Sequence, residues 1–121
     1  MNAPLRKADV QAFWDQASCG EAAYLDGHSR RSFDEQAKVR YQLEPYIFDF
    51  ARFAEGRSKK VLEIGVGLGA DHEQWARAGA NLSGVDLTPR AIHNTRSRFA
   101  EMGLKSDLRV GDAESLPFPD N

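Results

Sequence analysis

The stretch at residues 61–86, VLEIGVGLGADHEQWARAGANLSGVD, decides the fold. A β-type run at residues 60–64 passes into a loop with the alternate glycines Gly65, Gly67 and Gly69. A helix-type segment follows, which should stop at Gly79, and then a second β-type run at residues 81–86. Glycines at a strand-to-helix turn allow positive φ angles and let a ligand approach the backbone. The stretch therefore predicts a strand–helix–strand unit with a ligand at its glycine loop.

The same alternation continues towards the C-terminus. Thr88 and Pro89 form an N-cap and first-turn pair that opens a helix, and Gly103 should end it. One side of this helix should be buried, with Ala91, Ile92, Thr95 and Phe99 along it. SDLRVGD, at residues 106–112, predicts a third strand. Strands and helices that alternate at this spacing predict right-handed crossovers and a parallel sheet.

The first third of the chain has helical spacing. Its first helix should open at Asp9 as N-cap, stop at Gly20, and bury a face made of Val10, Phe13, Trp14 and Ala17. Ser32 and Glu35 have capping-box spacing and should open a second helix. Pro45 should kink that helix or start a new one that ends at Gly56. The residues of this last segment expected to face inward are Tyr46, Ile47, Phe50, Phe53 and Ala54.

Length and composition limit the number of domains and the partners that can be expected. The 121 residues allow one modest domain, with 41% hydrophobic and 28% charged residues, as is ordinary for globular proteins. A formal net charge of -2 provides no global field for nucleic acid or an anionic membrane, so neither is expected as a partner. The single cysteine, Cys19, excludes an intramolecular disulfide. The sequence lacks the apolar core of a signal peptide and any bilayer-length apolar run, so a cytoplasmic location is expected.

Two acids indicate what the glycine loop binds. Asp86 ends the second strand beside the first, where a carboxylate can accept both hydroxyls of a ribose; alternatively it caps the next helix. Residues 65–70 also satisfy G-x-G-x-x-G/A, the pattern of NAD sites. Glu63 argues against NAD, because a carboxylate at the end of an apolar strand favours a polar or cationic partner and would repel a pyrophosphate. The methionine part of S-adenosylmethionine supplies such a cation.

Three motifs in order resemble those of class I S-adenosylmethionine-dependent methyltransferases. VLEIGVGLG, at residues 61–69, resembles the family's first motif, E-x-G-x-G-x-G. GVDLTPRAI, at residues 84–92, resembles the second, and GDAESLPFPDN, at residues 111–121, the third. The lead-in FWDQASCGE, at residues 13–21, is similar to that of many small-molecule enzymes of this family.

The resemblance implies the fold, the cofactor and the site. It implies an α/β protein with a Rossmann-like parallel sheet, in which residues 1–56 are a helical lead-in or lid and residues 57–121 the first half of a domain that binds S-adenosylmethionine. The implied contacts are Glu63, Gly65, Gly67 and Gly69 at the methionine end, Asp86 and Leu87 at ribose and adenine, and Asp112 and Ala113 at the adenine edge.

The chain departs from the family in length. The family's sheet has seven strands, whereas this sequence provides three, in the order 3-2-1, and the fold is expected to be truncated after the third. The strand with Val61, Leu62 and Ile64 should then be an exposed edge. An apolar edge strand favours pairing with another chain, so we expect marginal stability or self-association through this edge.

The implied activity is transfer of a methyl group to a small-molecule acceptor, with this chain as the cofactor-binding half. Two alternatives stay open: a non-catalytic binding module or partner subunit, and an NAD-dependent oxidoreductase. No catalytic base can be assigned. His28, His72 and His93 lack metal-ligand spacing, so no metal site is expected, and His72 should face outward from its helix.

Overall fold

The sheet has three parallel strands, β1 (Lys60–Ile64), β2 (Asn81–Asp86) and β3 (Asp107–Val110), in the order β1-β2-β3, as the sequence predicted. The structure is a computed structural model that describes residue 4 and residues 6–120. The register pairs Ile64 with Val85 and Asp86 with Val110, so the carboxyl ends of the three strands lie side by side.

Helices precede the sheet and connect its strands. They are α1 (Lys7–Gln16), α2 (Glu21–Tyr24), α3 (Arg30–Leu43), α4 (Ile47–Ala51), α5 (Ala70–Arg77) and α6 (Pro89–Met102), with one turn of 3-10 helix at Phe53–Gly56. In the ranges that the structure describes, no helix combines the length and the apolar character that crossing a bilayer requires.

Helix α6 forms as its sequence predicts. Thr88 is the N-cap, and its side chain accepts a hydrogen bond from the Ala91 N–H at 3.2 Å. Pro89 occupies the first turn, where its missing N–H removes no intrahelical bond. Gly103 ends the helix with a φ of 67°, in the left-handed region that glycine adopts without strain. The whole predicted face is buried, so α6 packs on the sheet and positions the loop that precedes it.

The prediction for α1 is wrong in both its ends and its burial. Arg6 is the N-cap and Asp9 lies at the third helical position, and the helix ends at Gln16 because Ala17 is extended. Gly20 is instead the N-cap of α2. No residue of α1 is buried; Phe13, for example, is 65% exposed. Helical spacing predicted a buried face, but its residues are only partly covered.

The segment from α3 to β1 also differs from expectation. Ser29, not Ser32, is the N-cap of α3, and it accepts a hydrogen bond from the Ser32 N–H, so the helix begins three residues earlier than predicted. The chain leaves α3 at Leu43, before Pro45, and α4 begins at Ile47. Of the five residues predicted to face inward, Ile47 and Phe53 are buried, whereas Tyr46, Phe50 and Ala54 are exposed.

Strand β1 lies at the edge of the sheet, as predicted. Within residues 6–120 it pairs with β2 alone, and Leu62 and Ile64 are 38% and 52% exposed. Self-association through this edge stays a prediction.

Candidate functional site

The glycine loop between β1 and α5 contains two kinds of glycine. Gly65, Gly67 and Gly69 all have positive φ angles, of 81°, 57° and 84°. A Cβ atom added at Gly65 or Gly67 would meet nothing within 4 Å, so the backbone there faces open space. At Gly69 the added atom would lie 2.8 Å from Oγ1 of Thr95 in α6. The first two glycines therefore leave room for a ligand, and the third lets the loop pack closely against α6.

Asp86 holds this loop in place from the end of β2. Its Oδ2 accepts a hydrogen bond from the Gly67 N–H at 3.1 Å, and its Oδ1 accepts one from the Thr88 N–H at 3.1 Å. The residue thus contacts the start of α6, as the capping alternative expected, and it also contacts the glycine loop. The Thr88 hydroxyl also donates to Oδ1 at 3.3 Å, so three of the roughly four acceptor positions of a carboxylate are occupied and one remains for a ligand hydroxyl.

Two cavities meet at Gly65 and Gly67. The larger, about 280 Å³, extends towards the ends of β2 and α1 and is lined by Asp86, Leu87 and Trp14, among others. The smaller, about 140 Å³, extends over the glycine loop towards α3. Its lining includes Glu63, Gly69, Arg40, Asp71 and Cys19, the last of which also lines the larger cavity. Six of the eight sequence-predicted site residues therefore line one or both cavities.

The other two, Asp112 and Ala113, follow β3 and line neither cavity. Asp112 forms an ion pair with Lys7 of α1, and its Oδ1 accepts a hydrogen bond from the Glu114 N–H at 2.9 Å. The Lys7 ammonium, together with this N–H, holds the pKa of the Asp112 carboxyl below its usual value. A role for both residues at an adenine edge stays a prediction.

Helix α1 crosses the carboxyl ends of β2 and β3 and is fixed there by polar groups. Besides the Lys7 ion pair, the Gln11 side-chain amide donates to the Leu87 carbonyl at 3.0 Å. Asp15 accepts from the Arg90 N–H at 3.0 Å. Sequence reasoning considered only the apolar side of this helix, and it missed these contacts because each joins residues about 75 positions or more apart.

Glu63 projects into the smaller cavity and is bonded to a histidine. Its Oε1 shares a hydrogen bond of 2.8 Å with Nδ1 of His72, and its side chain is 19% exposed. Burial raises the pKa of the Glu63 carboxyl, and the bond from His72 opposes that rise. The sequence led us to expect that a bound ligand would be the polar partner of Glu63. The structure shows that His72 of the chain itself is such a partner.

The prediction that His72 faces outward is wrong. Its side chain is fully buried, and Nε2 lies 2.8 Å from Oγ of Ser106. A Cβ atom at Gly84 of β2 would lie 2.7 Å from the imidazole ring, so the missing side chain at Gly84 makes the space for it. A glycine inside a strand indicates such a close approach, and this was the signal in the sequence that could have placed His72 inward.

Arg40 completes the far wall of the smaller cavity. Its guanidinium binds the Asp71 carboxylate through two bonds of 2.8 and 3.0 Å, and the Tyr41 hydroxyl donates to Asp71 at 2.9 Å. Burial and the adjacent carboxylate raise the pKa of Tyr41, which keeps it protonated as a donor. Nothing in the local sequence pairs α3 with α5, so Arg40 was missed.

The fold is that of an α/β protein, and its two cavities lie at the carboxyl ends of parallel strands, where open sheets usually bind their ligands. The sequence model of a family described as "Methyltransferase domain" matches residues 61–121. The chain belongs to this family, which confirms the resemblance to class I S-adenosylmethionine-dependent methyltransferases.

Two individual relatives are named as O-methyltransferases, and a solved structure superposes on the chain. A ubiquinone biosynthesis O-methyltransferase from Azoarcus sp. strain BH72 is 31% identical over 116 residues, covering 95% of this chain and 46% of that protein. A malonyl-(acyl-carrier protein) O-methyltransferase from Erwinia pyrifoliae is 28% identical, covering 78% of this chain and 34% of that protein. The YcgJ protein from Bacillus subtilis superposes with a TM-score of 0.57 and 32% identity, covering 64% of this chain and 34% of that one. The chain spans less than half the length of these relatives.

Proposed function

We propose that this chain binds S-adenosylmethionine and that the protein transfers its methyl group to a small-molecule acceptor. The observation that carries the proposal is the two-ended site. Open glycines lie in the middle, the Asp86 carboxylate lies in one cavity, and Glu63 and Arg40 line the other. A nucleoside joined to an amino acid has the same two ends.

The residues present fit this cofactor. Asp86 would accept from a ribose hydroxyl, and the half-buried Leu87 would pack on adenine. At the other end Glu63 would accept from the ammonium group. Arg40 would hold the carboxylate with the N–H groups that its bond to Asp71 leaves available, since a guanidinium has five. Together the cavities fall at the lower end of the volumes of ligand pockets, roughly 300–1,000 Å³.

The protein's contribution to catalysis would be alignment and exclusion of water. The bound cofactor supplies a methyl group on a sulfonium that is also the leaving group, so the chemistry needs little beyond an in-line approach of the acceptor. Helix α1 would act as a lid over the nucleoside end, because Trp14 lines the larger cavity. No residue is assigned as a general base.

A small-molecule acceptor is the proposal because the net charge of -2 gives no general attraction for nucleic acid. The Azoarcus relative is named for ubiquinone biosynthesis and the Erwinia relative for malonyl-(acyl-carrier protein), so the relatives act on more than one class of acceptor. The cytoplasmic location is likewise proposed, on the single cysteine of the sequence.

The experiment is calorimetric titration of S-adenosylhomocysteine, the demethylated cofactor, into the 121-residue chain and into Asp86→Ala. Asp107→Ala is the matched control, since Asp107 is an exposed strand aspartate that pairs with Arg109 and lines neither cavity. We expect binding by the chain and the control, and affinity at least about tenfold weaker for Asp86→Ala, as a lost buried hydrogen-bond acceptor costs roughly 1–3 kcal/mol. No binding, equal binding by Asp86→Ala, or a preference for NADH would contradict the proposal.

A further inference from the structure

Glu63, His72 and Ser106 form a row of hydrogen bonds that runs from the smaller cavity to the backbone of β2. Glu63 Oε1 lies 2.8 Å from His72 Nδ1, His72 Nε2 lies 2.8 Å from Ser106 Oγ, and Ser106 Oγ lies 3.1 Å from the Leu82 carbonyl oxygen. We propose that His72 is a positioning residue for the cofactor, and that the row holds one exchangeable proton which leaves when a cationic group binds beside Glu63. This inference rests on the proposed function.

The proton follows from counting donors along the row. The Leu82 carbonyl can only accept, so the Ser106 hydroxyl must donate to it. Ser106 has no second proton to offer, so His72 Nε2 must carry a hydrogen and donate to Ser106. The remaining bond, between Nδ1 and Glu63, then needs a proton of its own. That proton lies on the imidazole as imidazolium or on the carboxyl as glutamic acid, and the pair is neutral in either form.

Removing this proton leaves a second complete arrangement. If the Ser106 hydroxyl turns from the Leu82 carbonyl to Nε2, His72 can be neutral with its hydrogen on Nδ1, donating to an ionised Glu63. The pair then carries one negative charge. The two arrangements differ by one proton and by one rotation of a hydroxyl, with the heavy atoms in place.

The imidazole is held rigidly enough to fix the Glu63 carboxylate. It lies between Gly84 of β2, where any side chain would collide with it, and Phe99 of α6, whose ring centroid is 5.1 Å away. Among the described residues, the carboxylate is bonded through Oε1 alone, so Oε2 is available to the smaller cavity that Glu63 lines.

The groups around the Glu63–His72 pair do not fix its charge, so the charge depends on the protonation of the pair. The charged and titratable groups nearest to it are Asp71 of α5 with Arg40 and Tyr41 of α3, and both of the latter donate hydrogen bonds to Asp71. The elements on the other sides contribute an uncharged glycine from β2 and an aromatic ring from α6. An arriving ammonium group therefore meets a neutral pair that becomes an anion by releasing its proton to water.

The direct test is calorimetric binding of S-adenosylhomocysteine in buffers of different ionisation enthalpy, which counts the protons released. Across about pH 5–9 we expect a maximum release of about one proton per ligand, with affinity rising up to about tenfold per pH unit where release is complete. Methylthioadenosine, which has the nucleoside but no ammonium group, should bind without releasing a proton. A release below about 0.2 proton at every pH would overturn the inference while leaving binding, and so the proposed function, intact. Absence of binding would instead contradict the proposed function.

Two variants and a control distinguish a role of His72 in positioning Glu63 from a role in folding alone. Glu63→Gln keeps the imidazole packed but cannot form the anion, so we expect proton release to disappear. His72→Gln can still donate to Glu63 but lacks the imidazole that fixes the carboxylate, and we expect it to bind with reduced affinity while Glu63 alone supplies the released proton. His93→Gln is the control, because His93 is exposed on α6 and lines neither cavity. Proton release that persists in Glu63→Gln, or unchanged affinity in His72→Gln, would contradict the assignment.

The protonation of His72 can also be tested without a ligand. Long-range proton–nitrogen correlation spectra of the ¹⁵N-labelled chain at about pH 6 report which ring nitrogen of His72 is protonated. The inference requires a hydrogen on Nε2, whether the shared proton lies on His72 or on Glu63. A bare Nε2 with a hydrogen on Nδ1 would overturn it.

Discussion

Helices α1 and α6 contact each other through the Asp15–Arg90 bond, yet only α6 belongs to the buried core. Seven residues of α6 are buried, against none in α1, although both helices have apolar residues at helical spacing. The strand–helix–strand connection returns α6 to the sheet, so its apolar face is covered by its own unit. The apolar residues of α1 face a cavity or solvent. Helical spacing identifies a face, and the topology decides whether that face is core.

The largest expected effect comes from the core side of this comparison. Phe99→Ala removes a ring that is 3% exposed and packs on His72, and we expect the free energy of unfolding to fall by about 3–5 kcal/mol. Urea unfolding followed by circular dichroism measures this loss. If the free energy of unfolding of the unsubstituted chain is smaller than the loss, the variant will be unfolded without denaturant. A change under about 1 kcal/mol would mean that α6 is not part of the core.

A smaller effect separates the two kinds of glycine. Gly69→Ala forces a side chain into a left-handed backbone and against Thr95, which should cost about 2–4 kcal/mol of stability. Gly65→Ala has the same backbone strain but open space around it, so we expect about 1 kcal/mol together with weaker binding of S-adenosylhomocysteine. Thermal unfolding and titration of both variants give the comparison. Equal losses of stability would refute the distinction.

The smallest change in stability is expected on α1. Trp14→Ala should alter the free energy of unfolding by less than about 1 kcal/mol, since the side chain is 41% exposed. It should weaken S-adenosylhomocysteine binding by roughly three- to tenfold, because Trp14 lines the larger cavity and aromatic contacts contribute about 0.5–1.5 kcal/mol. Phe13→Ala, at 65% exposure and outside both cavities, is the matched control. Unchanged affinity for Trp14→Ala would argue against α1 as a lid.

The same contrast explains what the sequence could predict. The order of the strands, the Thr88 cap, the buried face of α6 and the approach of Asp86 to the glycine loop all follow from one compact unit of alternating strands and helices, in which neighbours in space are close in sequence. Glycine spacing and the position of an acid at a strand end are enough to place these groups.

The missed features depend on pairs that periodicity does not encode. Arg40 reaches Asp71 from another helix, and Lys7 reaches Asp112 from near the opposite end of the chain. His72 is inward because Gly84 leaves space for its ring and Glu63 and Ser106 satisfy its nitrogens. Such complementarity of shape and hydrogen bonding appears only when the elements are assembled.

The proposed cofactor site consists of the glycine loop and the end of β2. The most direct measurement is titration of ¹⁵N-labelled chain with S-adenosylhomocysteine, followed by amide proton–nitrogen correlation spectra. We expect the largest shifts on Gly65, Gly67 and Leu87, with smaller ones on α1. Binding that leaves these three amides unmoved while others shift would contradict this site.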